Sequence, residues 1–298
     1  MSAAITSPSR YPSAVEIPRG KQSATLSLGR RTVHLTNLQK LIWPRLGLTR
    51  RDLLQYYADI ASVLFPHVCD RPIALRSRRK SRPGSDVFPV ERSLGNVVEY
   101  PVIQDLASML GILNQGSIAL RPWSATCDDV HRPDSLSFAL QPSPGGSFDQ
   151  VRETALAVRR TLEDLEIPSY PKTNGVDGIH ICVPITRGPR HEEVWKFVRS
   201  LVVAMEAEHP ELRQGAKRRA VIHYNQNSWG KSQPSVYSVL PTPLATVSTP
   251  VTWKEVERGV NIEDFRLDTA LQRVRAVGDL WKPMLQKHGR LSIERLIG

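Results

Sequence analysis

The chain has 298 residues, 40% apolar and 23% charged, a balance that argues against a mostly disordered protein. No apolar run approaches the roughly 18 residues of a membrane-spanning helix. Three cysteines (Cys69, Cys127, Cys182) with no CxxC pair argue against a disulfide scaffold or a cysteine zinc finger, and for a reducing, intracellular compartment. The net charge of +11 is confined to residues 1–82, which hold 15 basic and 4 acidic side chains, while the remainder is balanced. A localised excess points to a polyanion, nucleic acid first and an anionic membrane surface second.

Residues 1–24 are rich in Ser, Pro and Ala and lack the apolar core of a signal peptide, so they read as a flexible tail. One domain is expected over 25–298, with its basic part reaching to about residue 90. Leu53, Tyr57, Ile60 and Leu64 form one helical stripe after Thr49, which with Asp52 resembles a capping box. Pro66 is expected to end that helix, Ile73 to Ser77 reads as a strand, and residues 78–82 as a basic loop. Asp105 to Leu113 reads as a helix, Leu136 to Leu140 as a strand, and Pro142 to Gly146 as a turn. Ser147 with Gln150 makes a capping box for a helix to about Leu165. A strand at Ile179 to Val183, a helix from Arg190 to about Glu208 and a strand at Ala220 to Tyr224 follow. Asp268 to Leu285 reads as a single outer helix. Interleaved strands and helices give a mixed α/β or α+β domain.

The chemistry is sparse. A two-metal site needs carboxylates two residues apart on a strand, so that both face the ions. The best strand, Leu136 to Gln141, has none, and the adjacent Asp128 and Asp129 read as a solvated loop. His180, Cys182 and His223 are a candidate zinc set, but without regular spacing they read better as satisfied or exposed side chains. Residues 172–180 lead through a glycine-bearing turn into a strand. Glycines allow close backbone approach, and Lys172 and His180 can contact phosphate, yet by spacing this is no P-loop and reads as a plain turn.

Many short motifs in order resemble the primase-polymerase domain of bacterial DNA ligase D, the gap-filling polymerase of non-homologous end joining. They are LTNLQKLIWP at 35–44, the segment 49–67, Arg71-Pro72, NQG at 114–116, Pro122-Trp123, RPDSLSF at 132–138, KTNGVDGIHICVP at 172–184 and Tyr237-Ser238. No KxDG ligase nucleophile is present, so only the polymerase module is resembled. The resemblance implies an α+β, archaeo-eukaryotic primase-like fold with a mixed central sheet flanked by helices. It also implies a D-x-D pair and a third Asp that hold two divalent ions. Those positions fall on Ala139, Gln141 and His223, so the resemblance implies a catalytically inactive protein with no cofactor. Magnesium or manganese enters only if polymerase activity survives through substitute ligands such as His223, Glu91 or Asp134.

The family's triphosphate-binding turn matches Asn174, Gly175, Gly178 and His180, with Asp177 where a basic residue is usual. Trp229 and Leu240 likewise stand at arginine positions. The family's 5′-phosphate site is matched by Asn37, Lys40 and Arg50, and a template-stacking position by Phe88, beside Val87. Arg78, Arg79 and Lys80 are expected to follow the DNA backbone. The expected partners are double-stranded DNA ends or gaps with 5′-phosphate, and Ku and other end-joining proteins, in a cytoplasmic, nucleoid-associated setting. A manganese-dependent nucleotidyltransferase and an interaction relic without DNA affinity are the alternatives.

Overall fold

The computed structural model describes residues 15–75, 86–92, 95–209 and 220–297. The basic loop with Arg78, Arg79 and Lys80 lies outside the described residues. The chain opens with a hairpin of β1 (Ser23–Leu28) and β2 (Arg31–Thr36). Order extends further into the expected tail than composition suggests: Ile17 is fully buried, its N–H donates to Gln55 and its carbonyl accepts from Arg51.

A second hairpin, β3 (Leu41–Trp43) and β4 (Leu48–Thr49), leads directly into α1 (Arg50–Val68). Thr49 and Asp52 form the expected capping box, and Leu53, Tyr57, Ile60 and Leu64 are buried on one face. The helix runs two residues past Pro66. A proline so near the end forfeits one backbone hydrogen bond in a turn that is about to finish. Of the expected strand at 73–77, residues 76 and 77 lie outside the described residues; Pro72 and Ile73 make isolated bridges to Val102 and Pro122, and residues 74 and 75 belong to no strand. A third hairpin joins β5 (Val87–Glu91) to β6 (Val97–Pro101), and α2 (Leu106–Asn114) follows, capped by Asp105.

The second part is a four-stranded sheet in the order β10-β7-β9-β8: β7 (Ser135–Pro142), β8 (Tyr170–Thr173), β9 (Ile179–Pro184) and β10 (Ala220–His223). The two long helices are α3 (Phe148–Asp164) and α4 (His191–Glu208). The expected α+β architecture is present, but the sheet is antiparallel where a mixed one was expected. One reason is local: the short turn at 174–178 joins β8 to β9, and so tight a connection forces an antiparallel pair. Phe138, Ile181 and Ile222 lie on the face packed against Val158 of α3 and Val198 of α4, in one core cluster. A separate cluster packs α1 on α2 and β2 through Leu35, Leu54 and Leu110.

The short strands β11 (Ser238–Val239) and β12 (Val247–Ser248), and helices α5 (Trp253–Arg258), α6 (Ala270–Val277) and α7 (Glu294–Ile297), complete the chain. The C-terminal stretch is not one helix from 268 to 285. Gly278, with a left-handed φ of 73°, stops α6, and only a 3-10 turn forms at Lys282–Leu285.

Candidate nucleic-acid site

Period-two alternation puts Ser137, Ala139 and Gln141 on the sheet face opposite the α3 and α4 core. Register then builds a row across it: His223 pairs with Ala139, Ala139 with His180, and His180 with Lys172. Ala139, Gln141 and His223 therefore do converge on one face. None of the four strands carries an Asp or Glu. Among the described residues no group of three His, Cys, Asp or Glu is placed to hold a metal ion.

The residues present do not fit a pair of hard divalent cations. Ala139 offers no ligand, Gln141 a neutral oxygen, and His223 a nitrogen that suits softer metals. Of the substitute ligands considered, Asp134 is held by Arg71, with contacts of 3.0 and 2.5 Å, and Glu91 belongs to the β5–β6 hairpin. Asp128 and Asp129 lie in a loop, paired with Arg187 and Arg132. The hydrogen bond from Arg187 takes the Asp128 carboxyl down to about 2.

The row itself is cationic or neutral. Lys172 is buried and donates to the Pro234 carbonyl (2.9 Å) and Ser248 Oγ (2.7 Å). Burial lowers its ammonium to about 8, and the Arg121 charge acts in the same direction. Burial also pushes His180 well below the usual imidazole range, aided by Lys172, Arg121 and His223. His180 Nδ1 has no hydrogen-bond partner among the described residues.

The turn at 174–178 is closed upon itself. Asn174 Oδ1 accepts from the N–H groups of Val176, Asp177 and Gly178, and its Nδ2 donates to Asp177. The amides that could cradle a phosphate are thus already bonded. A Cβ on Gly178 would lie 2.1 Å from the Leu140 carbonyl oxygen, and one on Gly175 would lie 2.7 Å from Leu240 Cδ2. Both glycines permit close approach, but of protein rather than of a ligand.

Asn37, Lys40 and Arg50 are brought together. They line one cleft of about 780 Å³ with Arg121 and the NQG segment. The hairpin does this: the Arg50 N–H donates to the Lys40 carbonyl (2.8 Å), and the Lys40 N–H to Asn37, which sits at φ 55°. Arg50 Nη1 donates to the Asn114 carbonyl at 3.0 Å, and partial burial lowers its guanidinium. Lys40 is exposed. A second cavity of about 500 Å³ shares Ala74, Leu75, Arg121 and Pro241 with the first and reaches Val176 and Leu240. No carboxylate lines either. Arg121 was not singled out by sequence, because nothing local marks it; its role comes from the meeting of two cavities.

Phe88 is half-buried opposite Tyr100 and packs on a small cluster with Val90, Trp123 and Val130. Tyr237 and Ser238 act structurally: Tyr237 donates to Asp279 (2.7 Å), and Ser238 Oγ accepts from the Leu120 N–H (2.8 Å).

The fold is that of a DNA-polymerase module. It matches the structure described as the polymerase domain from Mycobacterium tuberculosis ligase D in complex with DNA. The TM-score is 0.74 at 22% identity, covering 84% of this chain and 97% of that one, a likeness that shows the fold alone. Residues 49–281 match the family described as LigD, primase-polymerase domain, and the chain belongs to it. It is 26% identical over 275 residues to the multifunctional non-homologous end joining protein LigD of Mycolicibacterium smegmatis, covering 85% of this chain and 36% of that protein. It is 25% identical over 263 residues to the bifunctional LigD of Bacillus subtilis, covering 83% of this chain and 43% of that one. The chain thus spans less than half the length of these curated relatives. No helix among the described residues is long and apolar enough to cross a membrane.

Proposed function

We propose that this protein is a catalytically inactive LigD-type polymerase module that binds DNA ends or gaps bearing a 5′-phosphate. The observation that carries the reading is the cleft in which Asn37, Lys40, Arg50 and Arg121 meet with no carboxylate among its lining residues. Arginine and lysine beside an asparagine suit a phosphate dianion, and an acid-free wall leaves that attraction uncancelled. The DNA complex formed by the structural relative agrees with this class of ligand. Participation in end joining, which the relatives' names state of them, belongs to the same proposal, with Ku as the partner that the family resemblance implies.

Inactivity is supported by the acid-free sheet. Nucleotidyl transfer through two metals needs anionic ligands to hold the ions against the triphosphate charge. It is supported again by the filled turn at Asn174 to Gly178. The manganese-dependent alternative has no donor set of its own on this sheet.

The test of the phosphate cleft is Lys40→Ala combined with Arg50→Ala, with binding to 5′-phosphate and 5′-hydroxyl gaps compared. The double variant is expected to lose discrimination between them while keeping salt-sensitive, nonspecific binding. Unchanged discrimination in a folded double variant contradicts the assignment.

A further inference from the structure

Asn114, the first residue of the NQG segment, is polar yet only 4% exposed, and it reaches both sides of the phosphate cleft. Its side chain serves β2. Oδ1 accepts from the Thr36 N–H at 3.0 Å, and Nδ2 donates to the His34 carbonyl at 3.2 Å. Among the described residues β2 pairs with β1 alone, so its other edge presents peptide groups that need partners. The Asn114 amide straddles Leu35 on that edge, as one residue of a neighbouring strand would. The strand so held leads straight into Asn37, whose carbonyl accepts from the Lys40 N–H at 3.0 Å.

The main chain of Asn114 serves Arg50. Asn114 is the last residue of α2, where helix carbonyls lack an intrahelical donor and the helix dipole favours a cation. Arg50 Nη1 takes that place at 3.0 Å, the one hydrogen bond of this guanidinium among the described residues. Its remaining N–H groups are left for an anion. One buried residue thereby sets where Asn37 and Lys40 stand relative to Arg50. A phosphate gripped from two sides is sensitive to that spacing, because a site slackened by about 1 Å loses much of its selectivity. We infer that Asn114 is a positioning residue for the 5′-phosphate, acting through Asn37, Lys40 and Arg50 rather than by contact with DNA. The inference rests on the phosphate-cleft reading above.

Asn114→Leu keeps the branched shape and the main-chain carbonyl but loses both amide bonds. Fluorescence polarisation with 5′-phosphate and 5′-hydroxyl gaps is expected to show the preference for phosphate falling from tenfold in the parent to about twofold or less, with hydroxyl-gap binding unchanged. Val198→Ala opens a cavity in the separate core beneath the sheet, and is expected to lower stability and keep the full preference. Asn114→Asp keeps the size and the oxygen that Thr36 uses, and remains informative if Asn114→Leu fails to fold. Its preference is expected to fall as well, because an oxygen then faces the His34 carbonyl. An undiminished preference in the folded variant at Asn114 overturns the inference, as does an equal loss of preference in Val198→Ala. A parent without any preference overturns the cleft reading itself, whereas a parent preference that Asn114→Leu retains overturns this inference alone.

Discussion

Leu240 lies directly over Gly175, so close that a Cβ on the glycine would stand 2.7 Å from Leu240 Cδ2. The leucine is 2% exposed and closes the turn between β8 and β9 from outside, while Asn174 closes it from within. The leucine keeps other atoms off the Gly175 backbone, and it also lines the cavity that holds Arg121 and Val176.

That closure predicts that the protein takes up no nucleoside triphosphate. Calorimetric titration with a triphosphate and manganese is expected to show no saturable heat, and primer extension is expected to be absent at high manganese. Saturable binding, or extension, contradicts the closed turn.

Leu240→Ala removes a buried side chain and leaves a cavity, and the expected loss of stability is about 2–5 kcal/mol. Urea unfolding measures it. A loss near zero would mean that Leu240 does not seal the turn.

Asn174→Ala strips the shared acceptor from three backbone N–H groups. Only the Gly178 bond is buried, while Val176 is exposed and Asp177 half-buried, so water can replace two of the three; one buried N–H left unpaired costs about 1–3 kcal/mol, and a net loss of roughly 1 kcal/mol is expected. Hydrogen exchange at Val176 to Gly178 is expected to accelerate in the same variant, and unchanged protection contradicts the closed-turn geometry.

Lys172 predicts a pH dependence. Its folded value, about 8, lies below its ordinary 10.5, because burial disfavours the ammonium. The unfolded chain therefore binds more protons between those values, and stability rises with pH across that window. Below pH 8 the full penalty of the buried charge is present. Urea midpoints at about pH 8 and pH 10 are expected to rise in the parent by more than in Lys172→Met. Equal rises would show that Lys172 does not carry the effect.

Much of this was legible in the sequence where local rules act alone. The stripe of α1 and its Thr49–Asp52 cap need no tertiary partner to be recognised, and the alternation in β7 placed Ala139 and Gln141 on one face. Sequence reading failed where partners decide. The hairpins β1–β2, β3–β4 and β5–β6 are short ladders whose existence depends on cross-strand pairing. Gly278 breaks a periodic stretch that otherwise reads as one helix. In the site, Asn37, Lys40 and Arg50 came from family motifs. Arg121 joins the cleft through residues distant in sequence, brought together only by the fold.

The most direct test of the central claim is polarisation binding to one gapped duplex, with 5′-phosphate or 5′-hydroxyl at the gap, in EDTA across a salt series. A preference for phosphate of tenfold or more, about 1.4 kcal/mol, that persists without divalent metal is predicted. Equal binding of the two ends, collapsing together as salt rises, would contradict it and leave only a basic surface.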